Sequence, residues 1–174
     1  MDGYLLDTNI LEYWFNENRA EHTAVIARIA ALPDDAPLFV SPVTIGEMEY
    51  GYRTQSPSDE SREAEFRAFV LAKVPAVLPI DRHTTEPYGQ LRAAIFDQYA
   101  PGDLRAKKKR PCQLTDHATA TTLGIDENDL WIAAQAIQYN LILVTNDGLA
   151  KIRAVLRQVA PALRDLENWT VSTC

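Results

Sequence analysis

Four acidic residues stand where carboxylates can do chemistry. Asp7 ends the short apolar run Tyr4-Leu5-Leu6 and is followed at once by Thr8 and Asn9. Asp147 follows the run Leu141-Ile142-Leu143-Val144 through Thr145 and Asn146. Glu47 lies in "VTIGEMEYG", just after Phe39-Val40, and Asp129 lies in "DENDLWIAAQAI", where a long amphipathic pattern begins. If the apolar runs are parallel strands, Asp7 and Asp147 reach the same carboxyl edge of a sheet, the edge at which α/β proteins bind ligands. Helices that start at that edge carry Glu47 and Asp129 towards it, so the four acids are expected to converge. Two carboxylates about 5 Å apart repel by roughly 3 kcal/mol at an effective dielectric near 20. Four must be partly protonated or neutralised. Mg²⁺ or Mn²⁺ does this, since hard cations take oxygen ligands and keep several waters. Such an ion polarises a phosphodiester and lowers the pKa of a coordinated water. No histidine motif accompanies the acids, which argues against zinc.

Each acid also has a plainer reading. Asp7 or Asn9 can cap a first helix, and Asn128 or Asp129 a later one. Glu49 competes with Glu47, although two residues apart on a helix they face nearly opposite ways. Asp126 competes more closely with Asp129, because residues three apart share a face. His22, His83 and His117 are scattered and join no Ser or Cys motif, and read as surface or loop residues. Trp14 and Trp131 fall at apolar-face positions, where core packing or a dimer seam outweighs base stacking. Tyr50 and Tyr52 flank Gly51 after Glu47 and suggest a partner groove. Arg82, Arg92 and Arg105 read as solvated surface.

The elements that must position these residues follow from hydrophobic period. Strands are expected at Tyr4–Leu6, Leu38–Val40, Ala76–Ile80 and Leu141–Val144. Helical patterns cover Ile10–Phe15, the set Val25, Ile29 and Leu32, Val43–Tyr52, Phe66–Val74, Thr85–Tyr99 and Leu130–Tyr139. Strands alternating with helices imply an α/β fold with a mostly parallel sheet. At 174 residues the chain is expected to form a single domain over 1–174. The stretch from about 100 to 124 lacks strong period, holds the basic run Lys107, Lys108, Lys109 and Arg110, and reads as an insertion or lid.

Hydrophobic residues make up 47% of the chain and charged ones 24%, ordinary for a soluble protein. No apolar run approaches the roughly 20 residues of a membrane span. There is no basic leader followed by an apolar stretch. Cys112 and Cys174 form no disulfide framework. A cytoplasmic protein with no membrane partner is expected. A net charge of −7 excludes a surface that is basic throughout, while leaving room for a local basic patch.

Together "LLDTNI", "VTIGEMEYG" and "ENDLWIAAQAIQYNLILVTND" resemble the PIN-domain ribonucleases, most closely the VapC-type toxins of bacterial toxin–antitoxin pairs. The motifs fall in the family's order from Tyr4 to Asp147. The resemblance implies a PIN-like three-layer α/β/α fold. It implies that Asp7, Glu47, Asp129 and Asp147 are the catalytic, metal-holding quartet, with Asp129 preferred over Asp126. It implies that Thr145 and Asn9 support the site. It also implies Mg²⁺ or Mn²⁺ as cofactor, an RNA substrate, a homodimer, and a cognate VapB-like antitoxin that holds the endoribonuclease inactive. The chain is longer than a typical VapC, and the surplus falls between the third strand and Asp129. Lys107, Lys108, Lys109 and Arg110, within that surplus, are expected to grip RNA, since each phosphate contact adds affinity.

Two other functions compete. A Mg²⁺-dependent phosphatase would need a second Asp two residues after the first, where this chain has Asn9. A non-catalytic nucleic-acid or partner-binding PIN-like module gains nothing from converging negative charge near phosphate.

Overall fold

The computed structural model describes residues 3–55, 57, 59–74, 76–103 and 109–171. Its ordered elements run β1 (Tyr4–Leu6), α1 (Thr8–Phe15), α2 (His22–Ala30), β2 (Leu38–Val40), α3 (Pro42–Thr54), α4 (Glu60–Lys73), β3 (Ala76–Val77), α5 (Thr85–Tyr99), α6 (Glu127–Tyr139), β4 (Ile142–Val144) and α7 (Ala150–Val159). The strands form one sheet in the order β3-β2-β1-β4, with every pair parallel. The expected α/β class is therefore found. Leu6 pairs with Val40 on one side and Val144 on the other, so β1, β2 and β4 end level at their carboxyl edge. That shared edge is what lets residues just beyond three strands meet.

Contacts divide the chain into two compact units. The first comprises residues up to Pro79, Leu141–Gly148 and Asp165 onward; the second comprises Ile80–Asn140 and Leu149–Arg164. In the first unit the sheet side chains of even register, Tyr4, Leu6, Leu38, Val40, Ile142 and Val144, join Ile10 and Leu11 of α1, Val25 of α2, Met48 of α3 and Phe66 of α4 in one buried cluster. Leu5 and Leu143 project to the opposite face and are equally buried, so both faces of the sheet are covered. Trp14 packs edge-on against Phe69 at 5.2 Å, both partly buried against this cluster.

Four of the helices that start before their apolar period are capped by a side chain. Asp7 caps α1 by accepting from the Thr8 N–H at 2.7 Å. Buried Ser41 caps α3 through the Val43 N–H at 3.1 Å, with Pro42 preset in the first turn. Asp59 caps α4 through Arg62 N–H at 2.9 Å. Asp126 caps α6 through Asn128 N–H at 2.9 Å. The later cap is thus Asp126, not Asn128 or Asp129. The third strand stops at Val77 rather than Ile80. Leu78 still donates to Val40 O at 3.0 Å, but Pro79 has no N–H to continue the ladder.

In the second unit α5 packs on both α6 and α7. Leu91 and Ile95 of α5, Leu130 and Ile132 of α6, and Ile152 and Val155 of α7 are buried. Of the stretch expected as an insertion or lid, Lys107 and Lys108 lie outside the described residues, Pro111–Gln113 is one turn of 3-10 helix, and Leu114–Leu123 is a hairpin. Thr115 and Thr122 form an antiparallel bridge, Leu123 N–H donates to Leu114 O at 2.7 Å, and both leucines are buried. Among the described residues no helix is long and apolar enough to cross a membrane.

Candidate functional site

Asp7 extends one residue beyond the β1–β4 pairing and stays locked to it, its N–H donating to Val144 O at 3.0 Å. The residue is only 4% exposed. A buried charge must be hydrogen-bonded, and this one is. Oδ1 accepts from Thr8 N–H, and Oδ2 accepts from Thr145 Oγ1 at 2.7 Å and from Asn9 Nδ2 at 3.2 Å. Thr145 occupies the matching place one residue past β4. Its hydroxyl also accepts from Asp147 N–H at 3.0 Å, which fixes the turn that carries the second acid.

Asn9 joins the two acids. Its Nδ2 faces Asp147 Oδ2 at 3.1 Å as well as Asp7, and lies 3.3 Å from Thr145 Oγ1. Its Oδ1 accepts from Asn146 N–H at 2.9 Å. Glu47 enters from the second turn of α3, half-buried, with Thr8 Oγ1 donating to its Oε2. Glu49, its competitor, turns away and pairs with Arg67 at 2.8 Å. Asp7, Asn9, Thr145 and Asp147 therefore meet at one point, and Thr8 links Glu47 to them. Asp7 is both a cap and a member of the acidic group.

Electrostatics single out Asp7. Burial pushes its carboxyl above the ordinary value of 3.8; the Thr145 hydroxyl and Thr8 N–H pull it down, and the charges of Asp147 and Glu47 push it up again. The protein holds a buried acid near two other acids, a placement unfavourable to folding unless something positive compensates it. Every donor atom the group offers is a hard oxygen, the chemistry that fits Mg²⁺ or Mn²⁺ and not zinc. Among the described residues no three His, Cys, Asp or Glu side chains are drawn together tightly enough to enclose an ion.

Asp129 belongs to the second unit. It is half-buried in the first turn of α6 and borders a cavity of about 170 Å³ lined also by Leu123, Ile125, Leu149 and Ile152. Of the basic run, the Lys109 ammonium is paired with Asp103, while Arg110 is exposed. Three supporting residues escape a reading of the sequence. Thr8 holds Glu47. Asn146 positions Asn9 and bonds to the Tyr13 hydroxyl at 3.3 Å. Glu167 accepts from Thr145 N–H at 2.9 Å and donates to Leu143 O at 3.0 Å, extending the β4 edge. Only Thr8 and Asn146 had a signal, as the middle residues of "DTN" and "TND"; Glu167 lies in no periodic segment.

The PIN domain family model matches residues 4–154. The chain belongs to the PIN domain family. No curated protein matches this PIN domain significantly in sequence. Solved structures share its fold. A VapBC2 complex from Rickettsia felis bound to a promoter DNA fragment matches with a TM-score of 0.61 at 22% identity, over 96% of this chain and 98% of that one. VapBC-1 from nontypeable Haemophilus influenzae matches with 0.61 at 22%, over 97% and 99%. FitAB bound to an IR36 DNA fragment matches with 0.65 at 19%, over 98% of both. At these identities the likeness is one of fold.

Proposed function

We propose that this PIN domain is a metal-dependent endoribonuclease, the toxin of a toxin–antitoxin pair. The observation that carries the reading is the buried Asp7 carboxylate, hydrogen-bonded by Thr145 and Asn9 beside Asp147 and Glu47 at the carboxyl edge of the sheet. Asp7, Glu47 and Asp147, with Asp129 from α6, would hold Mg²⁺ or Mn²⁺. The bound ion would supply a water of lowered pKa and neutralise charge on the scissile phosphate. The chain's own residues do the rest. Thr145 and Asn9 hold the Asp7 and Asp147 oxygens in fixed directions, as supporting residues around metal ligands do. Burial keeps bulk water from Asp7 and strengthens each contact it makes.

The partner reading follows the VapBC neighbours, one of which, VapBC-5 from Mycobacterium tuberculosis, is described as a member of the VapBC family of toxin–antitoxin systems. A cognate VapB-like antitoxin is proposed to cover the acidic edge, and a homodimer and cytoplasmic location go with it.

The test is direct. Purified chain incubated with single-stranded RNA should cut it in Mg²⁺ or Mn²⁺ and not in EDTA. Asp7→Asn and Asp129→Asn should lower the rate by at least about 100-fold, as removal of groups that act in the transition state does. Asp126→Asn should cut normally. RNA left intact by wild-type chain in both metals would refute the nuclease reading, and a dead Asp126→Asn beside an active Asp129→Asn would reassign the acid on α6.

A further inference from the structure

The two described members of the basic run differ in what balances their charge. The Lys109 ammonium faces Asp103, whose side chain is 11% exposed. Arg110 is exposed and enters no ion pair among the described residues. Its backbone, however, is fixed on both sides. Arg110 N–H donates to Gln113 Oε1 at 3.0 Å, Gln113 N–H donates to Arg110 O at 2.9 Å, and Pro111 is buried. Just before it, Lys109 O accepts from Arg92 Nη2 at 3.0 Å.

The same Arg92 guanidinium reaches further. Nη1 donates to the Tyr88 hydroxyl at 2.9 Å and lies 3.6 Å from Glu127 Oε1. Tyr88 donates its own hydroxyl to Glu127 and stacks on Trp131, with ring centres 3.9 Å apart and planes 10° from parallel. One planar fork thus ties α5, the first turn of α6 and the main chain of the basic segment. A lysine ammonium is a point donor on a flexible stem and does not reproduce that fork. Charges fall the same way. Lys109 offsets Asp103 and Arg92 offsets Glu127, so Arg110 is left as a positive charge on an otherwise acidic chain.

We propose that Arg92 is a positioning residue that presents Arg110 to the phosphate backbone of single-stranded RNA. The proposal rests on the nuclease reading and names a residue through which its substrate is gripped.

The experiment is binding of a labelled single-stranded RNA by the full chain in EDTA, over a range of salt, with trypsin nicking of the Lys109–Arg110 bond as a second readout. Arg110→Gln should weaken binding and lower the slope of log affinity against log salt by about 0.7, one phosphate contact on a single strand. Arg92→Met should give the same loss and faster nicking. The double variant should lose no more than either single one, since residues acting as one unit do not add. Arg92→Lys, which keeps the charge and disturbs the fold least, should fail to restore binding. Each variant should stay folded and keep the wild-type response to Mn²⁺. Unchanged RNA binding in Arg92→Met, or additive losses in the double variant, overturns this inference alone. A wild-type chain that binds no RNA overturns it together with the nuclease reading.

Discussion

Asp7 is the residue on which the account turns, and its protonation supplies a prediction. Its carboxyl is raised above the ordinary aspartate value of 3.8 mainly by burial. The folded chain therefore takes up a proton more readily than the unfolded chain as pH falls towards that value. Where the folded state binds more protons, stability falls as pH rises. Without metal, Asp7 should lower the stability of the fold as pH rises through its raised pKa. The difference in melting temperature between wild type and Asp7→Asn should therefore shift in favour of Asn as pH rises from 3.8 through the raised pKa of Asp7. Mn²⁺ competes with the proton for the same oxygens, so its stabilisation of wild type should grow over that range. A pH-independent difference between the two chains would show that Asp7 is not the perturbed group. The "DTN" and "TND" stretches made Asp7, Asn9, Thr145 and Asp147 legible, because each sits within three residues of a strand end. The roles within the group were not legible, since a capping Asp and a ligand Asp look alike in sequence. Here one carboxylate caps α1 at Oδ1 and accepts from the Thr145 hydroxyl at Oδ2.

At the scale of elements, the caps explain which boundaries the sequence revealed. Helix α5 has the expected bounds, Thr85–Tyr99. Helices α1, α3, α4 and α6 begin earlier than their apolar period, because a first turn is polar and satisfies its N–H groups by capping rather than by burial. Helix α7 was not anticipated, although Ile152, Val155, Leu156 and Val159 recur at the spacing of an apolar face and the first three are buried. That signal was present in sequence. The Glu167 contact to β4 was not, because it depends on where the chain returns after α7. Of the two acids that periodicity left in rivalry, Asp126 caps α6 and Asp129 lies in its first turn. Asp126→Ala should remove the acceptor for Asn128 N–H and cost about 1 kcal/mol. For a chain of this size that is a fall in melting temperature of roughly 2–4 °C. The stabilisation by Mn²⁺ should remain. If Asp126→Ala abolished the Mn²⁺ effect at unchanged melting temperature, the cap and the ligand would have to exchange places.

At the scale of the whole molecule, the chain leaves its sheet-bearing unit after Pro79, returns for β4, leaves again for α7 and returns at Asp165. The family match, from residue 4 to 154, runs through both units. Asp7, Glu47 and Asp147 belong to one unit and Asp129 to the other. The proposal that the four acids serve one ion is therefore tested by metal binding to variants of acids from each unit. The most direct measurement is a Mn²⁺ titration of the full chain, followed by melting temperature, for wild type, Asp7→Asn, Asp129→Asn and Asp126→Asn. An ion that binds only the folded state stabilises it by about 2.7 kcal/mol at 100 times its dissociation constant. The account predicts that wild type and Asp126→Asn melt higher in millimolar Mn²⁺ and that Asp7→Asn and Asp129→Asn both lose most of that rise. A Mn²⁺ response that is missing in wild type, or that survives intact in Asp7→Asn, would contradict it.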